Sequence, residues 1–449
     1  MSTTVTPKPE GIDLTSGEFP RIPVAEARRG ATLAFFAWTL AVYDFILFGT
    51  LLPRIKESFG WSETTALLAN TLVSVGVFIV VILVGMFVDR LGRRRGMMVT
   101  VGGAAVSSFL TGISTGMASL VGFRSLSGFG MAEQSVNATY LNEVLALTDS
   151  DKVRRHRGFI YSFVQTGWPI GALLAAAFIA VVNAVLGEGE WRWAFVIATV
   201  PALFVLLLRK GINETPQYRL HQYLDRLVKE GRGDEARVIA DRFGLTLKSS
   251  SPFREIFSGK NRRNTIVLSL AWIANYFGIS TTSVLGTTML EGVKGVSPSY
   301  SLFIVIVSNL VAAAGYVFHG WFGDRIGRKK VVIMGWIMAS VFWAAFVLGP
   351  GNLAFTLITY MGTLFFLLGP YAAILFYQAE CFESHVRGTG SSFIAAMGQP
   401  GTVIASAILT GLVASGIGLG SAALWVGAGG MLVSGLLMFG AKHVETVKH

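Results

Sequence analysis

Long apolar runs separated by short polar segments dominate the chain. Runs able to cross about 30 Å of hydrocarbon, at about 20 residues each, lie at 31–53, 65–88, 97–117, 119–145, 159–186, 192–208, 265–290, 301–322, 331–349, 352–380, 389–415 and 419–440. The pattern predicts an all-α integral membrane fold of twelve transmembrane helices. One loop, 209–263, is long and divides the helices six and six. The expected organisation is a loose cytoplasmic tail over 1–30, a six-helix bundle over 31–208, a cytoplasmic linker over 209–263, a second bundle over 264–441 and a short cytoplasmic tail over 442–449. Inside the linker Leu220, Leu224, Leu227 and Val228 recur at helical spacing among Arg226, Lys229 and Glu230. That spacing predicts an amphipathic helix lying on the membrane surface.

Composition agrees with a membrane protein: of 449 residues 52% are apolar and only 14% charged, and mean hydropathy is +0.58. A soluble domain carries about 25% charged residues. A single cysteine, Cys381, excludes an intrachain disulfide and Cys-based metal sites, and six scattered histidines show no ligand spacing. No cofactor or metal is expected. The tail has no apolar run with a cleavage site, so it is not a secretory signal.

The net charge of +11 is explained by where the basic residues fall. With the N-terminus inside, the outer loops hold only Arg54, Lys56, Arg192 and Lys294, Arg124 is intramembrane, and the rest of the 37 Lys and Arg are cytoplasmic. The positive-inside rule then puts both termini in the cytoplasm. Anionic lipid headgroups at that face, and no nucleic acid, are the expected charged partners.

The two halves repeat. Gly85-Met-Phe-Val-Asp89-Arg90-Leu-Gly92-Arg93-Arg94 returns as Gly320-Trp-Phe-Gly-Asp324-Arg325-Ile-Gly327-Arg328-Lys329. Arg157-Gly158 returns as Arg387-Gly388, and Glu143 as Glu380, at nearly the same offset. Paired six-helix repeats around a midplane site are an architecture of secondary transporters.

With these residues in hand, the chain from Ala31 to Lys442 resembles the major facilitator superfamily. The doubled Gly-x-x-x-Asp-Arg-x-Gly-Arg-Arg/Lys loop carries the resemblance. Arg124-Ser-Leu-Ser-Gly128-Phe-Gly130-Met-Ala-Glu133, with Glu143, Arg157-Gly158 and Gln165, is similar to the metabolite:proton and sialate/lactate:proton symporters. The first helix, Trp38-Thr39-Leu40 then Tyr43-Asp44-Phe45, resembles that of the sialate and monocarboxylate branch. The pattern departs at Ala41 and at Met131-Ala132. Asn213-Glu214-Thr215-Pro216 is similar to an element of sugar porters and their neighbours. The resemblance implies two pseudo-symmetric six-helix bundles, with the first, fourth, seventh and tenth helices lining a central cavity.

Three charged residues lie within apolar spans, where an unpaired charge costs at least about 2.5–3.5 kcal/mol at the centre. By helical rise, Asp44 lies about 14 Å below the outer surface, Arg124 about 8 Å, and Glu133 about 13 Å beyond Arg124 on the opposite helix face. An arginine side chain bridges the gap between Asp44 and Arg124 if the first and fourth helices adjoin, as the resemblance implies, while Glu133 and Arg124 are not expected to pair directly. Burial raises a carboxyl pKa and a neighbouring arginine lowers it, so the partnership can drive proton uptake and release. Asp44 and Glu133 are the expected proton-coupling residues. Arg124 either controls Asp44 or holds an anionic substrate group. For Glu133, the competing expectation is packing within its own bundle, hydrogen-bonded to Asn137.

Substrate contacts are expected from Tyr43, from Tyr161, Gln165 and Trp168 on the fifth helix, from Asn275 and Tyr276 on the seventh, and from Tyr360, Tyr371 and Gln378 on one face of the tenth. Asp89, Arg90, Arg93, Asp324, Arg325 and Arg328 are expected to latch helix ends in gating. Glu143, Glu380, Arg157 and Arg387 are expected in salt bridges at helix ends.

The leading functional expectation is proton-coupled symport of a small organic anion, a mono- or dicarboxylate or acidic sugar, by a monomer in a bacterial inner membrane. The alternative is a transporter of a zwitterion, neutral polyol, sugar or drug-like cation, with a transporter-like sensor as a remote third. No phosphate-binding loop and no nucleophile–base constellation is present in the sequence, so an enzyme is not expected.

Overall fold

The computed structural model describes residues 9, 11–155, 157–187, 189–209, 212–245, 252–382 and 386–442. Among them one isolated bridge, Ile22 to Thr148, interrupts an otherwise helical chain. The first bundle holds α1 (Val24–Phe59), α2 (Glu63–Leu91), α3 (Arg93–Gly112), α4 (Met117–Ser125, continued by Gly128–Leu147), α5 (Arg157–Gln165, continued by Gly167–Leu186) and α6 (Trp191–Arg209). The linker forms α7 (Pro216–Lys229) and α8 (Gly233–Arg242). The second bundle holds α9 (Asn261–Gly278, Ile279–Val284 and Gly286–Lys294), α10 (Pro298–Ile326), α11 (Arg328–Leu348), α12 (Leu353–Leu368 and Tyr371–Glu380), α13 (Arg387–Ala396 and Gly398–Ala414) and α14 (Leu419–Ala423, Leu424–Ala428 and Gly429–Leu437). This is the expected layout of twelve rods in two bundles. The end carrying both termini is called here the terminal end and the other the far end.

Ten rods are long and apolar enough to cross a membrane on their own. The other two are α3, diluted by Gly102, Gly103, Ser107, Ser108 and Thr111, and α4, which is broken and carries Arg124 and Glu133. Both pack inside the first bundle, α3 along α6 and α4. Their polar atoms meet protein rather than lipid. Apolar side chains such as Leu83, Val181, Phe204, Val317, Leu348 and Trp425 stand exposed on the outside of the bundles, as a lipid-facing surface requires.

Rods break on equivalent helices in the two halves. α4 pauses at Leu126–Ser127 and α12 at Gly369–Pro370, while α5 pauses at Thr166 and α13 at Met397. α9 changes to a π-helical turn over Ile279–Val284. Such breaks free backbone groups and mark functional hinges in membrane helices.

Two sequence expectations need correction. Residues 11–23 are not loose: Ile12, Leu14 and Phe19 pack on the α7–α8 hairpin, Arg242 donates to the Leu14 carbonyl at 2.8 Å, and the Ile22 amide donates to the Leu147 carbonyl at 2.9 Å. The amphipathic face of α7 meets protein, not lipid. Leu220, Leu224 and Leu227 are buried against Ala236, Ile239 and Phe243 of α8. The helix is amphipathic because it has a partner helix, an arrangement its own periodicity does not distinguish from a membrane surface.

The bundles meet along α2–α13, α5–α10 and α1–α9. Arg54 of α1 pairs with Glu291 of α9 at 2.5 Å, and the Thr287 hydroxyl donates to the Thr50 carbonyl at 2.8 Å. Asn70 donates to Ser406 at 3.3 Å, and Thr71 and Thr410 share a hydrogen bond of 2.9 Å. These bonds lie toward the far end, where the two bundles are therefore latched.

Candidate functional site

Asp44 and Arg124 do meet. Arg124, in the last turn before the α4 break, places Nη2 3.1 Å from Asp44 Oδ2. Its Nη1 donates to Oδ1 at 3.2 Å, and Nη2 also donates to the backbone carbonyl of Asp44. Ser108 of α3 donates to the same carboxylate. Arg124 is 1% exposed and lies over the Phe195 ring of α6 at 5.3 Å.

The expected chamber between the bundles is not where this pair points. Asp44 faces α3, α4 and α6, into the first bundle, because α1 is buried nearly all round and its remaining faces pack against α5 and α9. There it lines a slot of about 20 Å³ walled largely by alanines. The polar contacts of the Arg124 side chain among the described residues go to Asp44.

Glu133 is likewise turned into the first bundle. It is fully buried and pairs with Arg209, the last residue of α6. Arg209 also donates to the Met97 carbonyl at 3.0 Å and to Asn137 Oδ1 at 3.1 Å. Thr100 of α3 donates to Glu133. Sequence reasoning missed Arg209, which reads as the first basic residue of the linker.

The substrate candidates separate into groups. Tyr371 donates to Asn275 Oδ1 at 2.6 Å, and its ring lies 5.3 Å from Trp272, which stacks on Tyr276 at 5.9 Å. Asn275 Nδ2 has no hydrogen-bond partner among the described residues although the side chain is fully buried. Trp168 Nε1 donates to Ser283 Oγ at 3.2 Å, joining α5 to the π turn of α9. Gln165 accepts from Gln134 at 3.1 Å, inside the first bundle. Tyr161 is one turn before Gln165 on α5 and half-buried. Tyr43 packs edge-on to Phe178 of α5. Tyr360 donates to the Thr282 carbonyl, and Gln378 donates to the Ser391 carbonyl at 3.3 Å. The expected single face of Tyr360, Tyr371 and Gln378 is divided, with Tyr360 and Tyr371 bonding to α9 and Gln378 to α13.

At the terminal end Arg93 pairs with Glu143 at 2.9 Å, and Arg328 pairs with Glu380 and, at 3.2 Å, with Asp324. The two halves thus repeat the same helix-end contact. Glu214 accepts from the Arg93 and Arg94 amides at 3.0 and 3.2 Å, a carboxylate seated on the open N-terminus of α3. Arg325 lies over the Trp321 ring at 3.9 Å. The side chains of Asp89, Arg90, Arg157 and Arg387 lie outside the described residues.

The far-end latch titrates. Burial raises the Glu291 carboxyl above its ordinary 4.5, against the opposing pull of Arg54 and Ser301. Once the bundles part, water returns it to its ordinary range. The closed state therefore holds the proton more tightly, and closure strengthens as pH falls toward 4.5. Spin labels at Gly116→Cys and Gly418→Cys in a Cys381→Ser background are expected to report shorter far-end distances at acid pH in detergent. Glu291→Gln is expected to remove that dependence.

Residues 30–448 match the family model described as "Sugar (and other) transporter". The chain is 25% identical over 356 residues to the niacin transporter NiaP of Acinetobacter baylyi, covering 75% of this chain and 76% of that protein. It is 24% identical over 395 residues to the sialic acid transporter NanX of Escherichia coli, covering 85% and 86%. Its fold is similar to the inward open conformation of the xylose transporter XylE from E. coli, with a TM-score of 0.68 at 18% identity over 91% of this chain and 95% of that one. The match takes in both bundles and the linker between them, so the chain belongs to the sugar (and other) transporter family of the major facilitator superfamily and is a multi-pass membrane transporter, not an enzyme.

Proposed function

We propose that this transporter carries a small organic acid together with a proton into a bacterial cell, with both termini cytoplasmic. One observation carries the reading: Asp44 of α1, the helix that also carries the far-end latch, forms a buried pair with Arg124 of α4. When Asp44 takes a proton, Arg124 loses its counter-charge but keeps the Asp44 carbonyl as a hydrogen-bond acceptor, which reduces the cost of the step. Release of the carboxylate lets α1 shift against α4. Thr50 and Arg54 lie about 9 and 15 Å further along the same helix by its rise, so the shift reaches the contacts with α9. Proton and cargo then act on each other through the position of α1, without touching.

The relatives named for niacin and sialic acid support an organic acid as cargo. Arg124 and Arg209 are the two fully buried cations among the described residues, and both are held by carboxylates. The cargo's charge would be met by neutral donors such as Asn275 Nδ2 and balanced by the co-transported proton. The same lack of a buried cation on α9 and α12 favours a second reading, an uncharged polyol or sugar. The proposed gating residues, Arg93, Asp324, Arg325 and Arg328, act at the terminal end, with Asp89 and Arg90 assigned there on motif position. Anionic lipids at that face and a monomeric state complete the reading.

Protein in liposomes, given radiolabelled nicotinate, N-acetylneuraminate, benzoate or xylose with and without an inward proton gradient, tests it. An acid is expected to accumulate only with the gradient, and Asp44→Asn is expected to equilibrate it without accumulation. Gradient-independent uptake, unchanged in Asp44→Asn, overturns the reading; gradient-driven accumulation of xylose alone selects the second.

A further inference from the structure

Resting on Asp44 as the proton carrier, we propose that the proton passes between Asp44 and Glu133 through the interior of the first bundle, along the alanine-walled slot, separate from the route of the cargo. Both carboxylates line that slot, together with Ala37, Ala41, Ala104, Ala105 and Gly130. Its 20 Å³ is enough for a water molecule. The walls are small side chains on α1, α3, α4 and α6, and larger ones at the same positions would close it.

Each end of the slot is built to change charge. Ser108 and Thr100 of α3 present a hydroxyl to Asp44 and to Glu133. Thr100 has a second acceptor, the Met97 carbonyl at 3.0 Å, so its hydroxyl can turn away when Glu133 is protonated. Arg209 has two neutral acceptors, the Met97 carbonyl and Asn137 Oδ1, so it too keeps partners when Glu133 is neutral. Asn137 is fixed in turn by donating to the Ala34 carbonyl at 3.1 Å. This is the arrangement at Arg124 repeated one stage deeper.

The transfer balances. Asp44 gives its proton to the first water of a file that fills the slot as it wets, each water passes one on, and the last gives one to the Glu133 carboxylate. Asp44 regains its charge beside Arg124, Glu133 loses its charge beside Arg209, and the net charge of the bundle is unchanged. Thr100 and Ser108 are about 12 Å apart along α3, so a file of waters is needed and the wetting of the slot gates the step. Arg209 closes α6 at the terminal end, which puts Glu133 on the cytoplasmic side of Asp44.

Plugging the slot separates this path from the ion pairs. In Gly130→Ala the added carbon would stand 3.2 Å from Ala104 Cβ and 3.5 Å from Ala41 Cβ, filling the space with a small adjustment. Ala104→Val fills it from the opposite wall, and Glu133→Gln with Arg209→Gln removes the acceptor without leaving a bare charge. In liposomes, with the compound that the wild-type protein accumulates best, gradient-driven accumulation rate is expected to fall in all three, by about a hundredfold in the double variant, the scale of a lost positioned proton transfer. Exchange of labelled for unlabelled cargo without a gradient needs no net proton movement and is expected to persist. If the wild type is gradient-driven and Asp44→Asn impaired, yet the slot variants accumulate normally, the path is overturned. Loss of exchange together with accumulation in both plug variants overturns it as well, since that is a packing defect. A wild type indifferent to the gradient instead removes the proton-coupled reading beneath it.

Discussion

Replacing Gly49 with valine is expected to hold the bundles apart at the far end and to abolish transport. A Cβ on Gly49 would fall 1.9 Å from the Val284 carbonyl oxygen and 2.8 Å from its carbon. That oxygen is backbone, in the π turn of α9, and cannot swing aside as a side chain would. Ordinary contact needs about 3.5 Å, so α1 and α9 must separate by about 1.5 Å before the rest of the valine is accommodated. The Thr287–Thr50 hydrogen bond and the Arg54–Glu291 pair lie within about two helical turns of this point. A displacement of that size takes the Thr287–Thr50 bond beyond bonding distance and stretches the Arg54–Glu291 pair. The far end then cannot close, and a carrier that cannot close at one end cannot release cargo at the other without a leak. The Gly116 and Gly418 spin-label pair is expected to show a lengthened distance in Gly49→Val at every pH, with uptake at background. Gly49→Ala is expected to act in the same direction but less completely. Wild-type uptake in Gly49→Val would show that close approach of α1 and α9 is dispensable.

Much of this architecture was legible in the sequence, for identifiable reasons. Membrane spans are long and uniform, so ten of the rods could be recognised on apolarity alone. The other two, α3 and α4, also show as apolar runs at 97–117 and 119–145, although their polar and charged residues dilute them, and the repeated loop agrees with six helices on either side. Pairing of Asp44 with Arg124 followed from a depth difference that an arginine side chain can bridge, together with the adjacency of the first and fourth helices that the family resemblance implies. The direction in which that pair faces did not follow. α1 is apolar around its circumference from Gly30 to Ile55, so periodicity carries no information about its rotation. Arg209 was hidden by position: a basic residue at a helix end usually reaches solvent, and only the packing of α6 along α3 turns it inward to Glu133. The helix breaks had a signal that went unread, namely Gly167-Trp-Pro169, Gly369-Pro370 and Gly398-Gln-Pro400, where glycine and proline together interrupt helical spans. The sequence also showed α7 to be amphipathic, but not that α8 and residues 12–19 would cover it.

The second large effect is expected from Arg209→Leu, which should destabilise the first bundle by about 3–5 kcal/mol, the cost of stranding a buried charge. Glu133 would keep the Thr100 hydroxyl but lose its counter-ion, in a setting where no water from the membrane side can replace it. The expected result is a clear fall in the thermal unfolding midpoint of the purified protein. Glu133→Gln with Arg209→Gln removes both charges and leaves two amides able to bond with each other and with Asn137, so most of that loss should be recovered. A double-mutant cycle built on Glu133→Gln and Arg209→Gln is expected to show strong coupling, as contacting residues do. An unchanged midpoint in Arg209→Leu would mean that Glu133 is already neutral in the resting protein. The contrast with transport gives the pair its meaning. If burying two charges served stability alone, the neutral pair, having recovered most of the stability, should carry cargo about as well as the wild type does. If it folds and exchanges cargo yet fails to accumulate it, then the ion pair is kept at the cost of desolvating two charges because one of them has to receive a proton.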